Sequence, residues 1–376
     1  MMNILINASN LSGGGGAQVC DSICRYLKDY HGHHFTVVLS SALDKTAGAL
    51  KNYPNVTVKR YSCKAGDLRS LLTLRIPFLD RLVAENKIDC VFTVFGPIKW
   101  RPKCPHISGF GLSQIVIPES PFFQQMKWKE RLKWRKTIAI WKYVFHRSAE
   151  TLITENPLIT ERLQKKFPSK KVVTVTNNYN QIFDNEDQWD NYELPSFDGF
   201  QMLDIAAYGP HKNQKIALDI ARILRKIHPE FKFRFVFTMD EKNFPVIPTD
   251  LRDCFYFTGR VTIDQCPSLY KQCDAEFQPT LLECFTATYP EGMKMKKPII
   301  TTDLEFARGL CGEAALYYSS LSAESAADAI YRVATDKDLS ERLVIEGEKQ
   351  LLKFDSSKQR ADKIIALCET LVTDKL

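Results

Sequence analysis

No stretch of this chain approaches the ~20 consecutive apolar residues that a membrane-spanning helix needs. The opening Met1-Met2-Asn3-Ile4-Leu5-Ile6-Asn7-Ala8-Ser9 carries no basic leader and only a strand-length apolar run, so neither a signal peptide nor a transmembrane anchor is expected. No C-x-x-C pair occurs among the eleven cysteines, which are scattered through segments such as Asp89-Cys90-Val91-Phe92. They read as reduced thiols of a cytoplasmic protein, not as a disulfide framework. Metal-ligand spacing is absent, which argues against a bound metal. Low-complexity tracts are missing too, so the whole chain is expected to fold.

What is present is an ordinary soluble composition, 44% hydrophobic and 25% charged, with a net charge of +7 over 376 residues. A chain of this length exceeds what one core usually serves, so two domains with a cleft between them are expected. Short β-branched or aromatic runs alternate with helix-length amphipathic segments throughout, the pattern of doubly wound parallel sheets in an α/β protein. In the first half the expected strands are 3–8, 35–39, 56–59, 90–95, 105–108, 151–154 and 172–175, with helices over 17–30 and 68–85. In the second half they are 202–206, 233–237, 255–258, 275–278 and 298–301, with helices over 213–227 and 323–335. The acidic, apolar-poor stretch 179–200 reads as a linker between a domain over 1–178 and a second over 201–355. The last helix, about 356–376, is expected to pack back on the first domain.

Doubly wound sheets bind ligands at the carboxyl ends of their strands, which directs attention to the loops there. After the first strand, Leu11-Ser12-Gly13-Gly14-Gly15-Gly16-Ala17 leads into a helix. Its backbone amides, at Gly15 and Gly16 especially, suit either an oxyanion or simply a tight strand-to-helix turn. The spacing is neither G-x-G-x-x-G nor a phosphate loop with its lysine, so a dinucleotide or nucleoside triphosphate is not supported.

In the second half, Phe277-Gln278-Pro279-Thr280-Leu281-Leu282-Glu283-Cys284-Phe285-Thr286-Ala287-Thr288-Tyr289-Pro290-Glu291-Gly292-Met293 carries two carboxylates eight residues apart, and Lys297-Pro298-Ile299-Ile300 follows. The pair by itself reads as surface charge. In context, Glu283, Phe285, Glu291, Met293 and Pro298-Ile299-Ile300 resemble the E-x7-E signature and following strand of the retaining GT-B glycosyltransferases of glycosyltransferase family 4, the glycosyl transferases group 1. The resemblance is specific over 201–335 and looser over 1–200. It implies two Rossmann-like domains facing across a cleft, with no cofactor beyond the donor substrate, a nucleoside diphosphate sugar. Glu291 would accept from the ribose hydroxyls and Glu283 from the transferred sugar, while the amides of Phe285, Thr286 and Ala287 would stabilise the departing diphosphate. The family's phosphate lysine corresponds to Lys212 in Tyr208-Gly209-Pro210-His211-Lys212-Asn213, on the turn before a helix, whereas its arginine corresponds to Ala207. Arg260, after another strand, is a candidate substitute, and the backbone near Val261 is expected to meet the base. Lys212 and Glu291 are both expected on a solvent-accessible cleft rim, with Glu283 and Lys212 as the catalytic pair.

Many members of that family carry a histidine facing the donor sugar. Here its place falls near Gly111, so His106 is expected to be structural, and His31-Gly32-His33-His34 reads as a solvated turn. Retaining enzymes of this fold are thought to let the leaving phosphate draw the acceptor proton, which makes a strong protein base unnecessary.

Residues 126–147 hold eight Lys or Arg against the single Glu130, and three of the five tryptophans. Trp134, Ile138, Trp141 and Phe145 form one helical stripe, with Lys129, Lys133 and Lys136 on another face and Trp128 at the start. This is the make-up of a helix at an anionic lipid interface, and equally of an ordinary helix with its stripe in the core. No nucleic-acid motif accompanies it.

The expectation is therefore a hexosyltransferase-type enzyme acting on a glycan or polyprenyl-diphosphate-linked acceptor in surface polysaccharide biosynthesis, cytoplasmic and peripheral to the membrane. Its rival is a non-catalytic sugar-nucleotide-binding or assembly subunit of the same fold.

Overall fold

The computed structural model describes residues 1–63 and 68–374. The chain divides into two compact units: Met1–Pro118 with Lys127–Asn177 and Asp355–Leu376, and Glu119–Met126 with Asn178–Phe354.

Among the described residues, the strands of the first unit are β1 (Met2–Ala8), β2 (His33–Leu39), β3 (Val56–Arg60), β4 (Cys90–Thr93), β5 (His106–Gly109), β6 (Thr151–Thr154) and β7 (Lys171–Thr174). All pair in parallel, in the order β3-β2-β1-β4-β5-β6-β7. Ile4, Leu5 and Ile6 of β1 are buried in succession, because helices cover both faces of a parallel sheet and leave no polar side to alternate with. The C-terminal helix Ser357–Thr373 belongs to this unit and places Ala361, Ile364, Ile365 and Cys368 in one core with Ile4, Phe35 and Phe92. It starts at a Ser356/Gln359 capping box, and Arg360 ties it to the buried Glu155 and to Asn177.

The second unit contains β8 (Phe200–Asp204), β9 (Phe233–Phe237), β10 (Phe255–Phe257), β11 (Ala275–Gln278), β12 (Ile299–Thr302) and β13 (Ala315–Tyr318), again all parallel, in the order β10-β9-β8-β11-β12-β13. Phe233, Phe235, Phe237, Phe255 and Phe277 stack through its core. Strand order reverses between β8 and β11, so the crevice at their carboxyl ends is the place where a doubly wound sheet takes its ligand. Asp204 and Gln278 are the last residues of those two strands.

Several elements differ from expectation. The helix over 68–85 is two, Leu68–Thr73 and Pro77–Glu85, because Leu74 turns left-handed (φ 49°) and Pro77 can only begin a helix. The helix over 17–30 is Gly14–Cys24 followed by a short 3-10 turn, Leu27–Asp29. The helix expected from 213 begins at Ala217: Pro210–Lys212 and Gln214–Ile216 are 3-10 turns hinged on a left-handed Asn213. The stretch 179–200 is anchored on the second unit, with Ile182, Phe183, Tyr179 and Trp189 packed around Leu269 and Tyr270 and the Trp189 indole donating to the Ile182 carbonyl (2.7 Å). His33 and His34 open β2, and His33 meets Glu369 of the C-terminal helix at 3.1 Å, so they are strand residues and not a turn.

Candidate functional site

The polar residues of the second unit concentrate at the carboxyl ends of β8 and β11. Lys212, on the 3-10 turn after β8, and Glu283, on the loop after β11, form an ion pair of 2.5 Å, both half-buried. The two loops are stapled together: the Leu281 amide donates to the His211 carbonyl at 2.7 Å, and the Thr280 hydroxyl reaches both that carbonyl (3.3 Å) and Glu283 Oε1 (3.1 Å). Because the α-helix begins only at Ala217, the Lys212 ammonium owes its setting to carboxylates and not to a helix terminus. Burial works against its charge, but Glu283 and Asp204 outweigh burial and hold it above the ordinary lysine range.

Asp204 lies beneath this pair, 1% exposed, with Oδ1 at 3.5 Å from the Gln278 amide and no partner for Oδ2 among the described residues. Burial pushes its carboxyl up to about 7, against the pull of Lys212. His211 is pushed down by burial and is neutral at pH 7. Segment Glu119–Met126 also belongs to this unit. The Ser120 hydroxyl donates to the Leu281 carbonyl (2.7 Å), and the Phe122 ring meets His211 edge-on at 6.1 Å.

Glu291 sits inside the helix Thr288–Lys294 and is only 3% exposed, which corrects the expectation of a solvent-accessible rim. Burial raises its carboxyl to about 8. Against the same helix lies Glu276 of β11, fully buried, raised well above the carboxylate range by burial and bonded to the Tyr270 hydroxyl at 3.3 Å. A Cβ on Gly292 would fall 2.0 Å from Glu276 Oε2, so only glycine lets the helix pass this close. The amides of Phe285, Thr286 and Ala287 precede the helix and meet no acceptor among the described residues. Phe285 itself packs edge-on against Phe354 at 5.9 Å, and the Thr286 and Thr288 hydroxyls meet at 3.1 Å. Arg260 is exposed on the turn that Gly259 (φ +72°) makes after β10 and has no ion pair among the described residues, while Val261 is half-buried beside the Tyr270 cluster. Sequence reasoning passed over Asp204, Glu276 and Ser120. The available signal was an acidic residue inside an apolar strand, in Met202-Leu203-Asp204 and in Ala275-Glu276-Phe277.

Residues 193–350 match the model of the family described as Glycosyl transferases group 1. That stretch is a glycosyl transferases group 1 domain. No curated protein matches the chain. Solved structures that it resembles include a glycosyltransferase from Rickettsia africae (13% identity, TM-score 0.69, 99% of this chain and 98% of that one), sucrose-phosphate synthase from Thermosynechococcus elongatus (15%, 0.67, 100% and 100%) and Anabaena HepE in complex with UDP-glucose (16%, 0.68, 97% and 100%). At these identities they establish the GT-B fold, two Rossmann-like domains. Lys212, Glu283 and Glu291 all fall within the glycosyl transferases group 1 domain.

In the first unit, the left-handed glycines of the loop after β1 are Gly13 (φ +124°) and Gly14 (φ +65°), and Gly15 and Gly16 form the first turn of Gly14–Cys24. The helix has no side-chain cap. His106 is buried in β5, where Nδ1 donates to the Ser148 carbonyl (2.6 Å) and Nε2 accepts from the Thr93 hydroxyl (2.8 Å). Burial lowers it to about 4, and the geometry is that of a structural histidine. The described residues include no cluster of His, Cys, Asp and Glu able to hold a metal.

The basic segment forms one helix, Trp128–Ser148. Phe145 packs on Phe110 at 5.1 Å in the core, and Trp134 meets Trp141 edge-on at 5.9 Å. The stripe read from the sequence is thus the inward one, and Lys129, Lys133 and Lys136 are exposed. No helix among the described residues is long and apolar enough to cross a membrane.

Proposed function

We propose that the chain is a retaining glycosyltransferase that moves a hexosyl group from a nucleoside diphosphate sugar to a saccharide acceptor. The observation that carries this reading is the 2.5 Å Lys212–Glu283 pair at the switch point of the matched domain, with Glu291 eight residues further on. A donor diphosphate competes for the Lys212 ammonium, and the Glu283 carboxylate so released accepts from sugar hydroxyls. The amides of Phe285, Thr286 and Ala287, just before the helix Thr288–Lys294, suit the departing phosphate, and Glu291 suits the ribose. Ala207 stands where the family has an arginine, so Lys212 carries the diphosphate with Arg260 as a candidate second cation. With His106 neutral and enclosed, the leaving phosphate takes the acceptor proton.

UDP is the first nucleotide to test, since HepE and a Staphylococcus aureus TarM variant have been solved with it. The acceptor we infer is a glycan or a polyprenyl-diphosphate-linked saccharide of surface polysaccharide assembly, met at the cytoplasmic face of a membrane. The absent arginine favours one other reading, a sugar-nucleotide-binding subunit without turnover, and slow release of free nucleoside diphosphate from the donor separates the two.

Calorimetric titration of UDP, GDP and ADP tests the site. Lys212→Ala should lower the affinity of the nucleotide that binds by roughly 10- to 100-fold, the scale of a charge-assisted hydrogen bond. A folded variant with unchanged affinity refutes the assignment.

A further inference from the structure

The helix Trp128–Ser148 has two apolar stripes, and the core uses one. Burial begins only at Val144: Val144, Phe145 and Ser148 are its buried residues, all in the last turns. At 100° per residue the opposite side carries Trp128, Leu132, Ala139 and Tyr143, with Ile140 at its edge. Their exposures are 70% for Trp128, 46% for Leu132 and 43% each for Ile140 and Tyr143. Water-facing apolar side chains of this size in a contiguous row mark a docking surface. Lys129, Arg135, Lys136 and Arg147 flank the row, all exposed.

The charge decides what can cover it. Residues 126–147 hold eight cations and one carboxylate, Glu130, whose side chain already serves the Lys127 amide at the helix start (3.1 Å). A second copy of the same face would set an excess of seven positive charges against seven more. Nucleic acid would neutralise the lysines but offers no hydrocarbon to Leu132, Ile140 and Trp128. An anionic bilayer supplies both, with phosphate at the lysines, the headgroup boundary for Trp128 and Tyr143, and acyl chain for Leu132 and Ile140. The helix is too polar to cross the membrane, so it lies along the surface.

We infer that this outer face, Trp128, Leu132, Ile140 and Tyr143 with Lys129 and Lys136, is a docking surface for anionic phospholipid. It deepens the membrane-face acceptor proposed above but rests on exposure and charge alone, and none of these residues is part of the nucleotide site.

The test is co-sedimentation of the full chain with vesicles of phosphatidylcholine alone and of phosphatidylcholine mixed with phosphatidylglycerol, at low and high salt. Wild type should bind the mixed vesicles, weakly the neutral ones, and lose binding as salt rises. Each cation near an anionic surface is worth about fivefold, so Lys129/Lys133/Lys136→Glu should lower partitioning on the order of 100-fold or more. Trp128/Leu132/Tyr143→Ser should lower what survives at high salt. The tryptophan emission of wild type should shift to the blue on mixed vesicles and be quenched by brominated acyl chains, and Trp128→Phe should remove most of that change. Nucleotide titration of the same proteins keeps the two proposals apart: retained UDP affinity with lost vesicle binding supports this one, and lost UDP affinity with intact vesicle binding strikes only the donor site. Equal partitioning of wild type and variants, dimerisation through this face, or binding to RNA without binding to mixed vesicles overturns it.

Discussion

Replacing Glu291 by Gln should make the protein more stable and a poorer nucleotide binder, and the gain should grow with pH. The carboxyl is 3% exposed, has no hydrogen-bond partner among the described residues, and gives up its proton at about 8 in the folded chain against 4.5 in the reference state. Below pH 4.5 both states hold the proton and the residue costs nothing. Between 4.5 and 8 the unfolded chain is ionised while the folded one stays protonated, so each pH unit removes about 1.4 kcal/mol of stability, and above 8 the loss is constant. At pH 7 this amounts to roughly 3 kcal/mol, which for a domain of this size is on the order of 6–12 °C in Tm. Glutamine has the same shape and never ionises. Thermal unfolding of wild type and Glu291→Gln at pH 5, 7 and 8.5 should therefore show curves that nearly coincide in acid and separate with rising pH. The loss of nucleotide affinity should be largest above pH 8, where the wild-type carboxyl is ionised and the amide cannot supply its charge-assisted bond to a ribose hydroxyl. A variant less stable than wild type at pH 8.5, or a difference independent of pH, would refute the picture of a dry carboxylate retained for function at the expense of the fold.

His106→Gln should cost about 1–3 kcal/mol at pH 7 through its buried bonds to Thr93 and Ser148, with turnover nearly unchanged. Because the folded histidine is lowered to about 4, wild type loses stability as pH falls from 6.5 towards 4 and the variant should lose less, whereas a drop in turnover of about 10²–10⁴-fold at pH 7 would identify a general base instead. Gly292→Ala drives a methyl into Glu276 Oε2 and should destabilise by roughly 1–3 kcal/mol and weaken nucleotide binding, both measured by denaturation and titration. A neutral outcome would mean that the helix can lift away from β11.

The strands were legible because parallel strands covered on both faces are apolar without alternation, as in Phe233-Arg234-Phe235-Val236-Phe237, where the one cation is held by Gln201 and Pro195 at the strand end. β13 escaped notice, since Ala315-Leu316-Tyr317-Tyr318 is a four-residue run with half-buried members and little to distinguish it from a helix turn. The helix at 68–85 was misjudged in length because the break depends on one left-handed leucine, a backbone state that its side chain does not announce.

The sequence by itself determined which residues could be strands and helices, since apolar periodicity is a local property, and its resemblance to the E-x7-E signature marked Glu283 and Glu291. Only the tertiary structure decided what meets what. Lys212 finds Glu283, and Asp204 finds both, because β8 and β11 are neighbours at the point where strand order reverses. Ser120 joins the same loop from a segment far away in the chain. The Trp128–Ser148 helix carries two apolar stripes of similar make-up, and which one faces water was settled by packing against Phe110. Burial, too, belongs to the assembled fold: it alone turns Glu291 from an ordinary surface acid into a carboxyl held near 8.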